Sequence, residues 1–179
     1  NGAGAQSING PTSPTFNNLT KTGAGTLTLA VNTPIAGNLN VSGGTLNLST
    51  FTANRTAAGG TLTVANTATL RIGGTGTLPS NFNTHSIGAT STIDYSGTNQ
   101  NVATLNSSQK YGNLVTSGSA TKTLAGNLTL PSGIATSLTI GAGTTLDVSG
   151  SNFGISFTGA TWTNNGTFNP RRGTVTFDP

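Results

Sequence analysis

Residues 16–30 read FNNLTKTGAGTLTLA, and residues 111–125 read YGNLVTSGSATKTLA. The second stretch follows the first at a distance of 95 residues, and the two align without a gap. Asn18, Leu19, Gly23, Thr26, Thr28, Leu29 and Ala30 meet Asn113, Leu114, Gly118, Thr121, Thr123, Leu124 and Ala125, and Phe16 meets another aromatic, Tyr111. A repeat at long period points to stacked units, each burying its apolar face against a neighbour. Within the first copy Leu27 and Leu29 alternate with Thr26 and Thr28. That period of two is the mark of a half-buried strand.

Working outward, the same short unit returns as GTLTL at 25–29, GTLNL at 44–48, GTLTV at 60–64 and TTLDV at 144–148. Leu39 with Val41, Leu70 with Ile72, Leu128 with Leu130, and Leu138 with Ile140 repeat the alternation. Pro34, Gly37, Gly43, Gly44, Gly73, Gly74 and Pro79 punctuate the runs. Residues 80–90 read as a longer polar loop that carries the single histidine, His85. No stretch of ten residues has the 3.6-residue period of a helix, Glu is absent, and β-branched residues fill the alternating runs. The chain is expected to be all-β, with many short strands between Gly-rich turns.

Two all-β architectures compete. A sandwich of hairpins calls for longer strands and two-residue Asn-Gly or Asp-Gly turns, which are infrequent here. A parallel β-solenoid calls for short strands, small-residue corners and inward Leu, Val and Ile stacked rung on rung. The recurring GTL-polar-apolar unit fits stacked identical positions, and outward Thr and Asn suit hydrogen-bonded ladders. We therefore expect a right-handed parallel β-solenoid as one domain, 1–179. At about 20–25 residues per turn it makes about eight rungs, a stack of roughly 40 Å.

Composition agrees with a narrow fold. Charged residues make up 6% of the 179, hydrophobic residues 32%, and Gly numbers 26. Disordered chains pair high charge with unpatterned polar sequence, whereas here the apolar residues are strictly placed. With no Cys there are no disulfides or thiolate metal sites. No apolar run is long enough to span a membrane. Net charge is +4, from seven Lys/Arg of which only Arg171 and Arg172 adjoin. That is not the clustered stripe of a nucleic-acid binder. Residue 1 is Asn and the chain lacks Met, so the segment is expected to be a processed product or an excerpt.

The NL-x-x-x-G-x-x-T-x-TLA unit, SGGTLNL, FTANRTAAGGTLTVANTATLRIGG and NNGTFNPRRGTVTF resemble repeats of very large secreted bacterial surface proteins. These are autotransporter passengers and filamentous-haemagglutinin-like adhesins with a right-handed parallel β-helix. The resemblance covers nearly the whole chain and implies a fold and an extracellular or cell-surface location. Its motifs are structural, and it transfers no catalytic residue.

Chemistry is sparse. The acids are Asp94, Asp147 and Asp178, too few for the paired-carboxylate work of a polysaccharide-cutting enzyme. No His/Cys cluster suits a transition metal, and no cofactor is expected. His85 reads as a solvated loop residue, Arg171 and Arg172 as turn residues between Pro170 and Gly173, and Trp162 as a core or edge aromatic rather than a sugar platform. Thr-x-Thr pairs at 26/28, 61/63, 121/123 and 161/163 raise an ice-binding reading. It needs a pair on most successive rungs, and the spacing leaves gaps. Asn-x-Thr/Ser triplets at Asn18, Asn54, Asn127 and Asn165 are expected by chance in such a composition, and no glycan follows from them.

The termini carry the functional expectation. GTVTFDP at 173–179 reads as the predecessor of NGAGAQSI at 1–8 of another copy. A solenoid end is a row of unpaired strand groups that must be capped or extended, and neither terminus offers a charged or Lys-rich cap. Val175 and Phe177 are expected to meet Ile8 of a next copy, in a covalent array or by strand addition. The expected function is a non-enzymatic filament or stalk unit whose partners are identical copies. The alternative is an adhesin module whose loops, such as 79–90, contact a polysaccharide or host surface.

Overall fold

The computed structural model describes residues 4–106 and 108–178. The strands in chain order are β1 (Gln6–Ile8), β2 (Leu19–Lys21), β3 (Thr26–Leu29), β4 (Leu39–Val41), β5 (Thr45–Asn47), β6 (Gly59–Val64), β7 (Thr69–Ile72), β8 (Phe82–Ile87) and β9 (Thr92–Tyr95). They continue as β10 (Gln100–Val102), β11 (Lys110–Thr116), β12 (Ala120–Leu124), β13 (Gly133–Ile140), β14 (Thr144–Asp147), β15 (Ile155–Phe157), β16 (Thr161–Asn164), β17 (Thr167–Asn169) and β18 (Val175–Phe177). No helix occurs among the described residues, so none is there to cross a membrane. The ladders among the described residues are all parallel, and each strand pairs with one a full turn away in the chain. The chain is a parallel β-solenoid of about seven turns. The turn count falls one short of expectation because the first 15 residues supply only β1.

Three faces wind around one core. The first face is the ladder β2-β4-β6-β8. The second carries β1, β3, β5, β7 and β9 in order. The third is an irregular run of chain until β10, above which β10-β12-β14-β17 form a ladder. β11 and β13 each turn the corner between the first two faces. Gln109 accepts from the backbone N–H of Ile87 at the end of β8, while Asn113–Thr116 pair with Thr92–Tyr95 of β9. The register slips between Tyr111 and Asn113, and Gly112 fits that corner closely above the carbonyls of Gly88, Ala89 and Ser91. Ile134 pairs with Phe157 and Phe157 with Phe177, so β15 and β18 extend the first face. β16 extends the second, through Leu138 and Trp162.

The alternation read from the sequence is realised as columns. On the second face Leu27, Leu46, Leu70, Ile93, Leu114, Leu138 and Trp162 stack in register. The five inner members are fully buried, while Leu27 and Trp162 at the two ends are only partly so. Burial of apolar area at about 25 cal/mol per Å² makes such a column the main stabilising term.

One expectation is corrected. His85 is not in a loop: it lies in β8, paired with Leu62, and points inward with 6% exposure. The alternation Phe82, His85, Ile87 was hidden because the inward positions of β8 are irregularly spaced. The two repeat copies also fall on different faces. Leu19 is in β2 of the first face and Leu114 is in the second-face half of β11. Every face requires the same x-Leu-x, so likeness of sequence does not preserve position around the coil.

Candidate functional site

At the N-terminal end Ile8, Phe16 and Leu27 are partly buried against the core. At the other end Trp162, Phe168 and Val175 are likewise partly buried, and Phe177 is 62% exposed. The aromatics there form one cluster. Trp162 lies 5.2 Å from Phe168, 5.6 Å from Phe177 and 5.8 Å from Phe157, between ring centroids. The Trp162–Phe168 and Trp162–Phe157 contacts are edge-on, the favoured geometry for aromatic pairs. Trp162 is thus an edge aromatic, as its sequence context indicated. Ile8 and the pair Val175 and Phe177 stand at opposite ends of one chain and on different faces. β18 ends the first face, and β1 begins the second. In coil order the position after β18 is a second-face strand, the position of β1.

The corners are held by side chains that replace backbone partners. Asn18 accepts from the backbone N–H of Asn38, Asn38 from Thr61, Asn54 from Ser80, Asn66 from Thr90, Asn99 from Thr121 and Asn127 from Gly154. Three of the Asn residues in the Asn-x-Thr/Ser triplets therefore have a rung-to-rung role. The signal was present as Asn recurring just before the apolar runs.

Two buried ammonium groups are caged by carbonyls. Lys21 Nζ donates to Thr22, Gly23 and Gly43, at 2.8, 2.8 and 3.0 Å. Lys122, wholly buried, donates to Gly97, Thr98 and Ser119, at 2.7, 2.6 and 2.7 Å. Burial lowers the Lys122 pKa, with Asp94 partly countering it. The acids are engaged as well. Asp94 accepts from Arg71 at 2.9 Å and Ser117 at 2.6 Å. Asp147 takes a two-pronged contact from Arg171, whose hydrogen bonds hold its carboxyl below the usual carboxylate range. Arg171 is a turn residue as read, and also this ion-pair partner. Among the described residues no group of three or more His, Cys, Asp or Glu is placed to hold a metal ion.

Outward Thr residues line up only partly. Thr26, Thr45, Thr69 and Thr92 stack on the second face, but the neighbouring column reads Thr28, Asn47, Arg71, Asp94. The pairs 61/63 and 121/123 lie on β6 and β12 of the other faces. No face assembles Thr-x-Thr pairs on adjacent rungs among the described residues.

A side cleft of about 250 Å³ opens where the third face changes from irregular chain to ladder. It is lined by 77–82, His85, Ala103, Thr104 and Asn106. Below it Tyr95 and Tyr111 clamp Ala103. Tyr111 donates to its carbonyl at 2.6 Å, its N–H donates to Tyr95 at 3.0 Å, and the two hydroxyls meet at 3.1 Å. Burial raises the pKa of both phenols.

The fold defines the class: a parallel β-solenoid with partly buried apolar residues at both ends of its stack. Comparison with protein-family models, with curated proteins and with solved structures yields no match.

Proposed function

We propose that this chain is a non-enzymatic structural unit of an extracellular bacterial filament or adhesin stalk. Identical copies stack end to end into a long, stiff fibre. The observation that carries the reading is that both ends of the stack are open and in step. The last strands run β16 on the second face, β17 on the third and β18 on the first. A following copy then places β1 over β16 and β2 over β18, so the coil continues without a change of phase. The join itself, at residues 1–3 and 179, lies outside the described residues. Half-covered apolar residues at each end, Ile8 and Phe16 against Trp162 and Phe168, and the exposed Phe177, gain burial from that contact. The extracellular setting rests on the resemblance to repeats of secreted bacterial surface proteins.

Negative-stain microscopy of the concentrated protein tests the reading. Rods of constant width and variable length are expected, and Phe177→Asp should shorten them. Uniform particles about 34 Å long, the height of seven rungs, unaffected by concentration, would remove the filament reading. The adhesin-module reading is favoured by the side cleft instead, and predicts such discrete rods together with ligand affinity.

A further inference from the structure

We propose that the side cleft is a binding site for a neutral oligosaccharide, with one sugar ring seated against His85 and the chain continuing across the third face. The inference does not depend on end-to-end stacking.

His85 is the only titratable side chain lining the cleft. Its Nδ1 accepts from the backbone N–H of Asn106 at 2.8 Å. An acceptor Nδ1 places the neutral ring's proton on Nε2. Nε2 has no hydrogen-bond partner among the described residues, although His85 is 94% buried by its 6% exposure. No side-chain nitrogen or oxygen sealed from solvent lacks a partner among them, so Nε2 is open to solvent. The cleft is the opening that reaches this ring. In the free protein water accepts from this solvent-facing N–H, and a ligand oxygen can take that water's place.

The lining narrows the acceptor's chemistry. Leu78, Pro79, Phe82 and Ala103 give apolar surface, and Thr77, Ser80, Thr104 and Asn106 give hydroxyl and amide groups. No Lys, Arg, Asp or Glu lines it, so a charged ligand finds no counter-ion. An apolar wall with neutral hydrogen-bonding groups suits a pyranose ring, with its C–H faces and its hydroxyls. The volume lies below the roughly 300–1,000 Å³ of drug-sized sites, which favours a single ring.

A second cleft, of about 300 Å³, adjoins the first. It is lined by Thr75, Asn99, Gln100, Asn101, Thr121 and Thr123, all neutral hydrogen-bonding residues. The two meet where Thr77 of the first donates to the carbonyl of Asn101 of the second, at 2.8 Å. One ligand crossing that bridge meets a ring site and then a run of hydroxyls and amides, which fits a chain of linked neutral sugars.

The single histidine makes the test direct, because its ring gives one set of ¹H–¹⁵N signals. The ¹⁵N-labelled protein is titrated with glucose, galactose and N-acetylglucosamine, with the β-linked dimer of each, and with inorganic phosphate as the charged control. The proposal expects a saturable His85 Nε2 shift with at least one sugar below about 50 mM, and its dimer at least tenfold tighter. Phosphate should give none. Thr121→Val with Thr123→Val should remove the dimer's advantage and leave the monomer's affinity. Absence of a saturable shift with all six sugars overturns the proposal, as does an equal response to phosphate. Neither result depends on a His85 variant folding.

Discussion

At the scale of single residues, four of the chain's few charges, Lys21, Lys122, Asp94 and Asp147, are buried. Lys122 is the clearest case, since its ammonium donates to three backbone carbonyls at one corner. Lys122→Met keeps the apolar stem and removes those three bonds. It should cost about 3 kcal/mol, as expected when a buried polar arrangement loses one partner, measured by urea unfolding. His85 gives a pH signature. Burial holds its pKa below the ordinary 6.5, so below that pH the unfolded chain takes up a proton before the folded one. Stability is then fully present above pH 6.5 and falls as the pH drops toward the folded value. Melting curves between pH 7 and 5 should show this loss, and His85→Asn should flatten it. These roles were poorly legible in the sequence. A lone Lys or His in a polar context looks solvated, and only the register of the neighbouring rung turns it inward.

At the scale of elements, the period-two runs were legible because each strand needs only two or three inward apolar residues. GTLTL, GTLNL and GTLTV lie in or across β3, β5 and β6. The face on which each strand lands was not legible. It depends on corner lengths, which vary from one rung to the next. The corners themselves make two predictions. Gly118 has φ +76°, and a Cβ there would press on the carbonyl oxygens of Ser96 and Gly97. Gly118→Val should therefore destabilise by at least about 2 kcal/mol, from combined backbone strain and overlap. Asn38 both donates its backbone N–H to Asn18 and accepts from Thr61. Asn38→Ala should cost about 1 kcal/mol, the net worth of one such bond, and should speed amide exchange at Thr61 more than at Leu46.

At the scale of the whole molecule, the chain has a filled core with two apolar ends. The inner columns are sealed everywhere except at the first and last rungs. In the sequence, 173–179 read as the predecessor of 1–8, with Val175 and Phe177 expected to meet Ile8; in the proposed stack β1 of the next copy would follow β18 in coil order and lie over β16.

The most direct measurement uses the single Trp162, which sits in the end cluster. Two copies are joined with Pro179 running directly into Asn1, and acrylamide quenching of the pair is compared with that of the single chain. Continuous stacking predicts that half of the pair's emission becomes shielded and blue-shifted, with Phe177→Asp in the first copy restoring quenching. Two tryptophans that both quench as in the single chain would contradict it.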